Sequence, residues 1–154
     1  MKKVSLAIVM LSFLVACGGG DSATPESTTD KAKPQSMLKK EVDPMQDKGV
    51  GVITEVKLDP EINQELAAQG DTIYQDKCTA CHKPTEKFIG PAPKGVLDRR
   101  TPEWIMNMIL DPERMVKENP AAKKLLIEYN GSPMANQNLT EEEARAVLEY
   151  FRTL

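Results

Sequence analysis

Two cysteines three positions apart, with a histidine directly after the second, constrain this chain more than any other feature: Cys78-Thr79-Ala80-Cys81-His82. On one turn of helix running into a tight loop, two thiols at that spacing can each reach one vinyl group of the same porphyrin. The following side chain then falls beneath the iron. The five residues therefore read as a c-type haem attachment site, with the His82 imidazole as proximal axial ligand.

The residue inventory supports this reading. The chain has three cysteines and one histidine. With Cys78 and Cys81 assigned to haem, only Cys17 remains. A zinc site on the same residues has to recruit carboxylates, which structural zinc sites seldom use. A thioredoxin-like dithiol needs a strand-rich α/β context, and no run of β-branched residues flanks the motif. Zinc and dithiol chemistry stay open as the weaker alternatives.

At 154 residues the chain has room for one domain plus extensions. It opens Met1-Lys2-Lys3 and runs apolar from Val4 to Val15, the pattern of a secretory signal. That run is too short to span a bilayer as a mature helix. Leu14-Val15-Ala16-Cys17 resembles the bacterial lipobox, which implies cleavage before Cys17 and lipid on its sulfur. Two or three acyl chains suffice for stable anchoring. The expected organisation is a signal peptide over 1–16, a lipidated and largely disordered tether over 17–58, and a haem domain over 59–154. The expected address is the cell envelope, as a periplasm-facing or outer-membrane lipoprotein. Loss of Lys2 and Lys3 with the signal takes the formal charge from −3 to −5. So acidic a chain argues against nucleic-acid binding and points to redox partners with a neutral or basic docking patch.

Residues 18–48 are rich in Gly, Ser, Thr, Pro and charge, with too little apolar surface to offset the entropy of ordering. A coil of that length has a root-mean-square reach of roughly 30 Å. Met37, Leu38 and Met45 stand isolated in it and read as solvated. From Val50 to Leu58 the chain turns apolar and β-branched, which predicts a short extended segment packed on the domain. After Pro60 no stretch alternates with period two, so the domain is expected to be all-α. Ile62, Leu66, Ile73 and Tyr74 recur at helical intervals and lead into Cys78. Thr101-Pro102, Asp111-Pro112 and Asn119-Pro120 each pair a capping residue with proline at the first helical position. Asn130-Gly131 stops the third of these helices. Thr140 with Glu143 predicts a capping box, and Ala144, Val147, Leu148 and Phe151 then form one face. Gly70 costs its helix about 1 kcal/mol against Ala, which suggests a close helix crossing.

Taken together, residues 60–154 resemble the class I cytochromes c, an all-α family that crosses its N- and C-terminal helices beside a covalently bound haem. Gly70, Tyr74 and Cys78 repeat the family's spacing on the first helix, and Leu148 with Phe151 repeats it on the last. The resemblance implies one haem c on Cys78 and Cys81, with His82 and Met134 as iron ligands. It implies that Pro91, in Gly90-Pro91, accepts a hydrogen bond from the other nitrogen of His82. It also implies that Trp104, Arg99 and Arg100 lie near the haem propionates. Met106, Met108 and Met115 fall on predicted helices and read as core fillers.

A six-coordinate haem has no vacant site for substrate, so the resemblance implies an electron carrier, not an enzyme. Its expected place is a respiratory chain, between a quinol-linked donor and a terminal reductase or oxidase. Arg99 to Met115 and the ending around Met134 are similar to small lipoprotein cytochromes found beside anaerobic reductases, including nitrous oxide reductase. Two alternatives remain: a five-coordinate haem sensor or ligand-binding protein, and the cytochrome subunit of a larger complex.

Overall fold

The structure, a computed structural model, describes residues 42–154. The expected signal segment, the lipidation site Cys17 and the tether up to residue 41 lie outside the described residues. Every helix start is set by a side chain that satisfies an otherwise orphaned N–H. Helix α1 (Gln64–Lys77) is capped by Asn63, which accepts from the Leu66 N–H at 3.0 Å. Helices α2 (Pro102–Leu110), α3 (Pro112–Glu118) and α4 (Pro120–Glu128) start at the three expected prolines. Thr101, Asp111 and Asn119 accept from their first turns. Thr140 and Glu143 close the expected capping box of α5 (Glu141–Phe151). Beyond α4, Asn130 (φ 58°) and Gly131 (φ 72°) take left-handed conformations that end it. Among the described residues there is no strand, and a single 3-10 turn spans Val96–Asp98.

Helix α1 lies across α5. A Cβ on Gly70 would run into the backbone carbonyl of Ala146, so the glycine is what permits the approach. Tyr74 then packs against Tyr150 and Phe151, with ring centroids 5.2 and 5.8 Å apart. At the far end of the crossing Glu149, 1% exposed, accepts from the Asn63 N–H at 2.8 Å and pairs with Arg145 and Arg152. Arg152 also donates to the Asp59 carbonyl at 2.6 Å, fixing the chain just before α1. The main core lies between α2 and α5, where Trp104, Ile105, Ile109, Val147 and Leu148 are buried together with Met115 of α3 and Ala122 of α4.

The segment over 47–58 belongs to the same compact unit as the helices. It runs as a strap along α2. Its β-branched composition does not make a strand, because side chains rather than a neighbouring strand satisfy its backbone. Asn107, 1% exposed, accepts from the Ile53 N–H at 3.0 Å and donates to the Ile53 and Lys48 carbonyls at 2.9 and 3.0 Å. Glu103 accepts from the Val56 N–H, and the Met115 sulfur from the Val50 N–H at 3.1 Å. A Cβ on Gly51 would overlap the Asn107 amide, so the strap can lie this close only with glycine there. Met45 is exposed, as expected for a solvated residue.

Candidate haem site

The attachment motif grows directly out of α1. Cys78 caps the helix, its N–H bonded to the Tyr74 carbonyl at 2.9 Å. The Cys78 carbonyl then accepts from the N–H groups of Cys81 (3.1 Å) and His82 (2.9 Å). This extra turn holds the two thiols and the imidazole on one short arc. Cys78 and Cys81 are not joined in a disulfide, so both sulfurs are available for haem attachment. Before haem is attached, burial and then the neighbouring Cys81 thiol push Cys78 up to about 11.

His82 is fixed from three directions. Its Nδ1 lies 2.8 Å from the Pro91 carbonyl. A carbonyl can only accept, so Nδ1 carries the proton and Nε2 keeps its lone pair for a metal. A Cβ on Gly90 would run into the imidazole at Cε1 and both nitrogens, so the ring can pack this close only against glycine. The Tyr74 hydroxyl donates to the His82 carbonyl at 3.0 Å. Burial above all, with Cys78 and Tyr150 adding, pushes that phenol well above its ordinary range, so it remains a donor. Arg99 braces the proline-rich loop carrying Pro91, donating to the carbonyls of Lys94 (3.0 Å) and Ala92 (3.2 Å).

Cys78, Cys81 and His82 open onto a cavity of about 850 Å³. Its other walls are largely apolar, from Ile105, Ile109, Leu125, Val147 and Phe151 among others. Met134, half-buried on the loop between α4 and α5, lines the same cavity. A porphyrin fits these residues: two thiols one turn apart at the rim, an imidazole held at Nδ1 by the Pro91 carbonyl so that Nε2 is the nitrogen left for iron, and an apolar chamber of ligand-pocket size. Among the described residues there is no group of three or more Cys, His, Asp or Glu side chains that could hold a metal ion.

The other expected site residues divide. Arg99, Arg100 and Trp104 all line the cavity. The Trp104 indole N–H, however, is committed to the Asn119 side-chain oxygen at 3.3 Å, and Arg100 lies over the indole ring at 5.0 Å. Trp104 thus offers the cavity its ring rather than a hydrogen bond for a propionate. Met106 and Met115 are buried as expected of core fillers, whereas Met108 reaches the cavity wall. The charge around the cavity differs in sign from the net charge of the chain. Lys77, Lys87, Lys94, Arg99 and Arg100 line the cavity against one carboxylate, Glu128. Acids elsewhere on the chain outweigh this local cluster in the net charge. Asn107, Asn119 and Asp47 gave no signal as site-supporting residues. Only the capping role of Asn119 was legible.

The family model for cytochrome c matches residues 67–154. A cytochrome c from Rhodothermus marinus is 45% identical over 67% of this chain and 88% of its own, with a TM-score of 0.65. An engineered form of that protein, bound to a carbene intermediate, is 44% identical over 67% and 88%, with a TM-score of 0.62. The cytochrome c domain of a Pseudomonas putida protein is 28% identical over 55% of this chain and 85% of its own, with a TM-score of 0.51. No match was found among curated proteins.

Proposed function

Because the chain belongs to the cytochrome c family and so carries covalently bound haem c, we propose that it is a one-electron carrier tethered to a membrane through Cys17, working in a respiratory chain. Haem supplies a single-electron exchange between ferric and ferrous iron. The protein's residues do the rest. Cys78 and Cys81 hold the porphyrin edge through thioether bonds. His82, oriented by Pro91, Gly90 and Tyr74, would hold the iron through Nε2, and the Pro91 hydrogen bond increases its basicity. Met134, which lines the same cavity, would be the second protein ligand to the iron and would leave no vacant site for substrate, and a methionine sulfur favours the ferrous state. The apolar walls keep water from most of the ring.

The observation that carries this reading is that His82, held at Nδ1 by Pro91, and Met134 line one cavity of haem dimensions. The basic lining residues favour a partner with an acidic docking face, whose approach they accelerate at low salt. A terminal reductase, nitrous oxide reductase among them, is the proposed acceptor. Among the described residues no helix is long and apolar enough to cross a membrane, and the lipid on Cys17 is the proposed anchor.

Optical spectra of the haem-loaded protein beside Met134→Ala test the ligation. The parent is expected to show a weak far-red methionine-to-iron band that the variant lacks. A high-spin ferric parent that takes up carbon monoxide readily would overturn the carrier reading in favour of a five-coordinate sensor.

A further inference from the structure

We propose that Asp47 and Asn119 are positioning residues that set the haem potential through Trp104, so that the strap ahead of the family domain tunes the redox centre. The proposal rests on haem occupying the cavity, and not on the identity of the distal ligand.

The contacts run in one direction. Asn119 donates from Nδ2 to both carboxylate oxygens of Asp47, at 3.0 and 2.9 Å. A carboxylate only accepts, so the amide orientation is dictated: its nitrogen faces Asp47 and its oxygen faces the core. That oxygen receives the Trp104 indole N–H at 3.3 Å and the Ala122 N–H at 2.9 Å. Asp47 is itself tied down, since its carbonyl accepts from the Thr101 hydroxyl at 2.6 Å and its carboxylate from the Gly49 N–H at 2.8 Å. Trp104 is 4% exposed and lines the haem cavity, with the Arg100 guanidinium over its ring.

Two consequences follow from this chain of bonds. The negative charge of Asp47 polarises the Asn119 amide, and the amide oxygen draws the indole proton, leaving the ring richer in electrons. An electron-rich wall stabilises ferric over ferrous iron and holds the potential down. The same bonds also fix where the indole sits. Without the carboxylate, the amide is free to turn its nitrogen toward the indole N–H, where two donors repel. Asp47 lies twenty residues ahead of the segment matched by the family model, so the family's own motif does not contain this element.

The test uses the haem-loaded full chain and four variants: Asp47→Asn, Asn119→Ser, the two combined, and Asp47→Asn with Trp104→Phe. Serine at 119 keeps an oxygen to cap α4 but cannot bridge to Asp47, so the fold is preserved while the relay is cut. Midpoint potentials come from spectroelectrochemistry. Trp104 is the only tryptophan of the chain, so its emission, quenched by the adjacent haem, reports its position directly. Asp47→Asn and Asn119→Ser are each expected to move the potential positive and raise the emission, with the combined variant going no further than the larger single change. In the Trp104→Phe background, Asp47→Asn is expected to move the potential much less. Unchanged potentials in both single variants would overturn the proposal, as would additive shifts or an Asp47→Asn shift that persists undiminished without the indole. The methionine-to-iron band of the parent is read from the same samples, so a failure of Met134 ligation is seen separately.

Discussion

Two flanks of the helical body are held together by different means. On one flank α1 crosses α5 backbone to backbone, with Gly70 against Ala146 and the Tyr74, Tyr150 and Phe151 rings filling the seam. On the other, the strap over 47–58 is held to α2, α3 and α4 largely by polar side chains, Asn107 and Asn119 foremost. The first flank depends on shape and the second on satisfying buried backbone groups. A defect in shape is spread over many weak contacts, whereas a lost amide leaves particular donors and acceptors with nothing.

The strap should therefore be the easier flank to break. Asn107→Ala strips the Ile53 N–H and carbonyl of their partner, and a buried group left unsatisfied costs about 1–3 kcal/mol. The expected loss is about 4 kcal/mol in denaturant unfolding of the haem-loaded protein, with hydrogen exchange at Ile53 accelerated first. Gly70→Ala attacks the other flank. Overpacking against a backbone carbonyl costs about 3 kcal/mol, and the helix gain of about 1 kcal/mol from Ala offsets part of it, leaving a net loss of about 2 kcal/mol by the same measurement. If Gly70→Ala proves the costlier change, the contrast between the flanks is reversed.

Acid sharpens the comparison, since each flank has one buried carboxylate. At Glu149, burial alone would raise the pKa, but the Arg145 hydrogen bond, the Asn63 N–H and the charges of Arg145 and Arg152 outweigh it and hold it below the usual range. At Glu103, burial is likewise outweighed by the N–H groups of Glu103 and Val56 and by Lys48. Both groups bind protons more readily when unfolded. Their contribution is complete above the ordinary carboxylate pKa of about 4.3 and is lost as pH falls through the lower folded value. Glu149→Gln should flatten the acid limb of the stability profile and free the start of α1, whereas Glu103→Gln should flatten it while loosening the strap. The titration is followed by thermal unfolding between neutral pH and the acid limit. The smallest effect is expected at Val52, two-thirds exposed on the outer side of the strap: Val52→Thr should change stability by less than about 0.5 kcal/mol.

The same contrast explains what the sequence made legible. Gly70, Tyr74, Cys78, Leu148 and Phe151 are spaced by helix geometry, so the first flank is encoded in intervals that can be counted along the chain. The helix starts at Pro102, Pro112 and Pro120 are local too, each needing only its own cap. His82 and Pro91 are nine residues apart and meet through one loop. Asn107, by contrast, reaches residues more than fifty positions away, and nothing in a surrounding α-helical pattern distinguishes a bracing asparagine from a solvated one. Val50 to Leu58 carry the composition of a strand, and the missing information was that side chains of α2 would take the place of a partner strand. The charge around the cavity was hidden for a related reason, because net charge averages over faces that only the fold separates.

That substitution has a consequence for the protein before it is fully matured. An extended, β-branched stretch with free backbone groups is a template on which other chains can add strands. Here the Val50, Ile53 and Val56 N–H groups all point inward and are already occupied by Met115, Asn107 and Glu103. Once docked, the strap offers no continuous edge to a neighbour, so the amide of Asn107 also acts as a guard against aggregation. A population of chains that have folded their helices but not yet seated this strap is the one at risk of self-association.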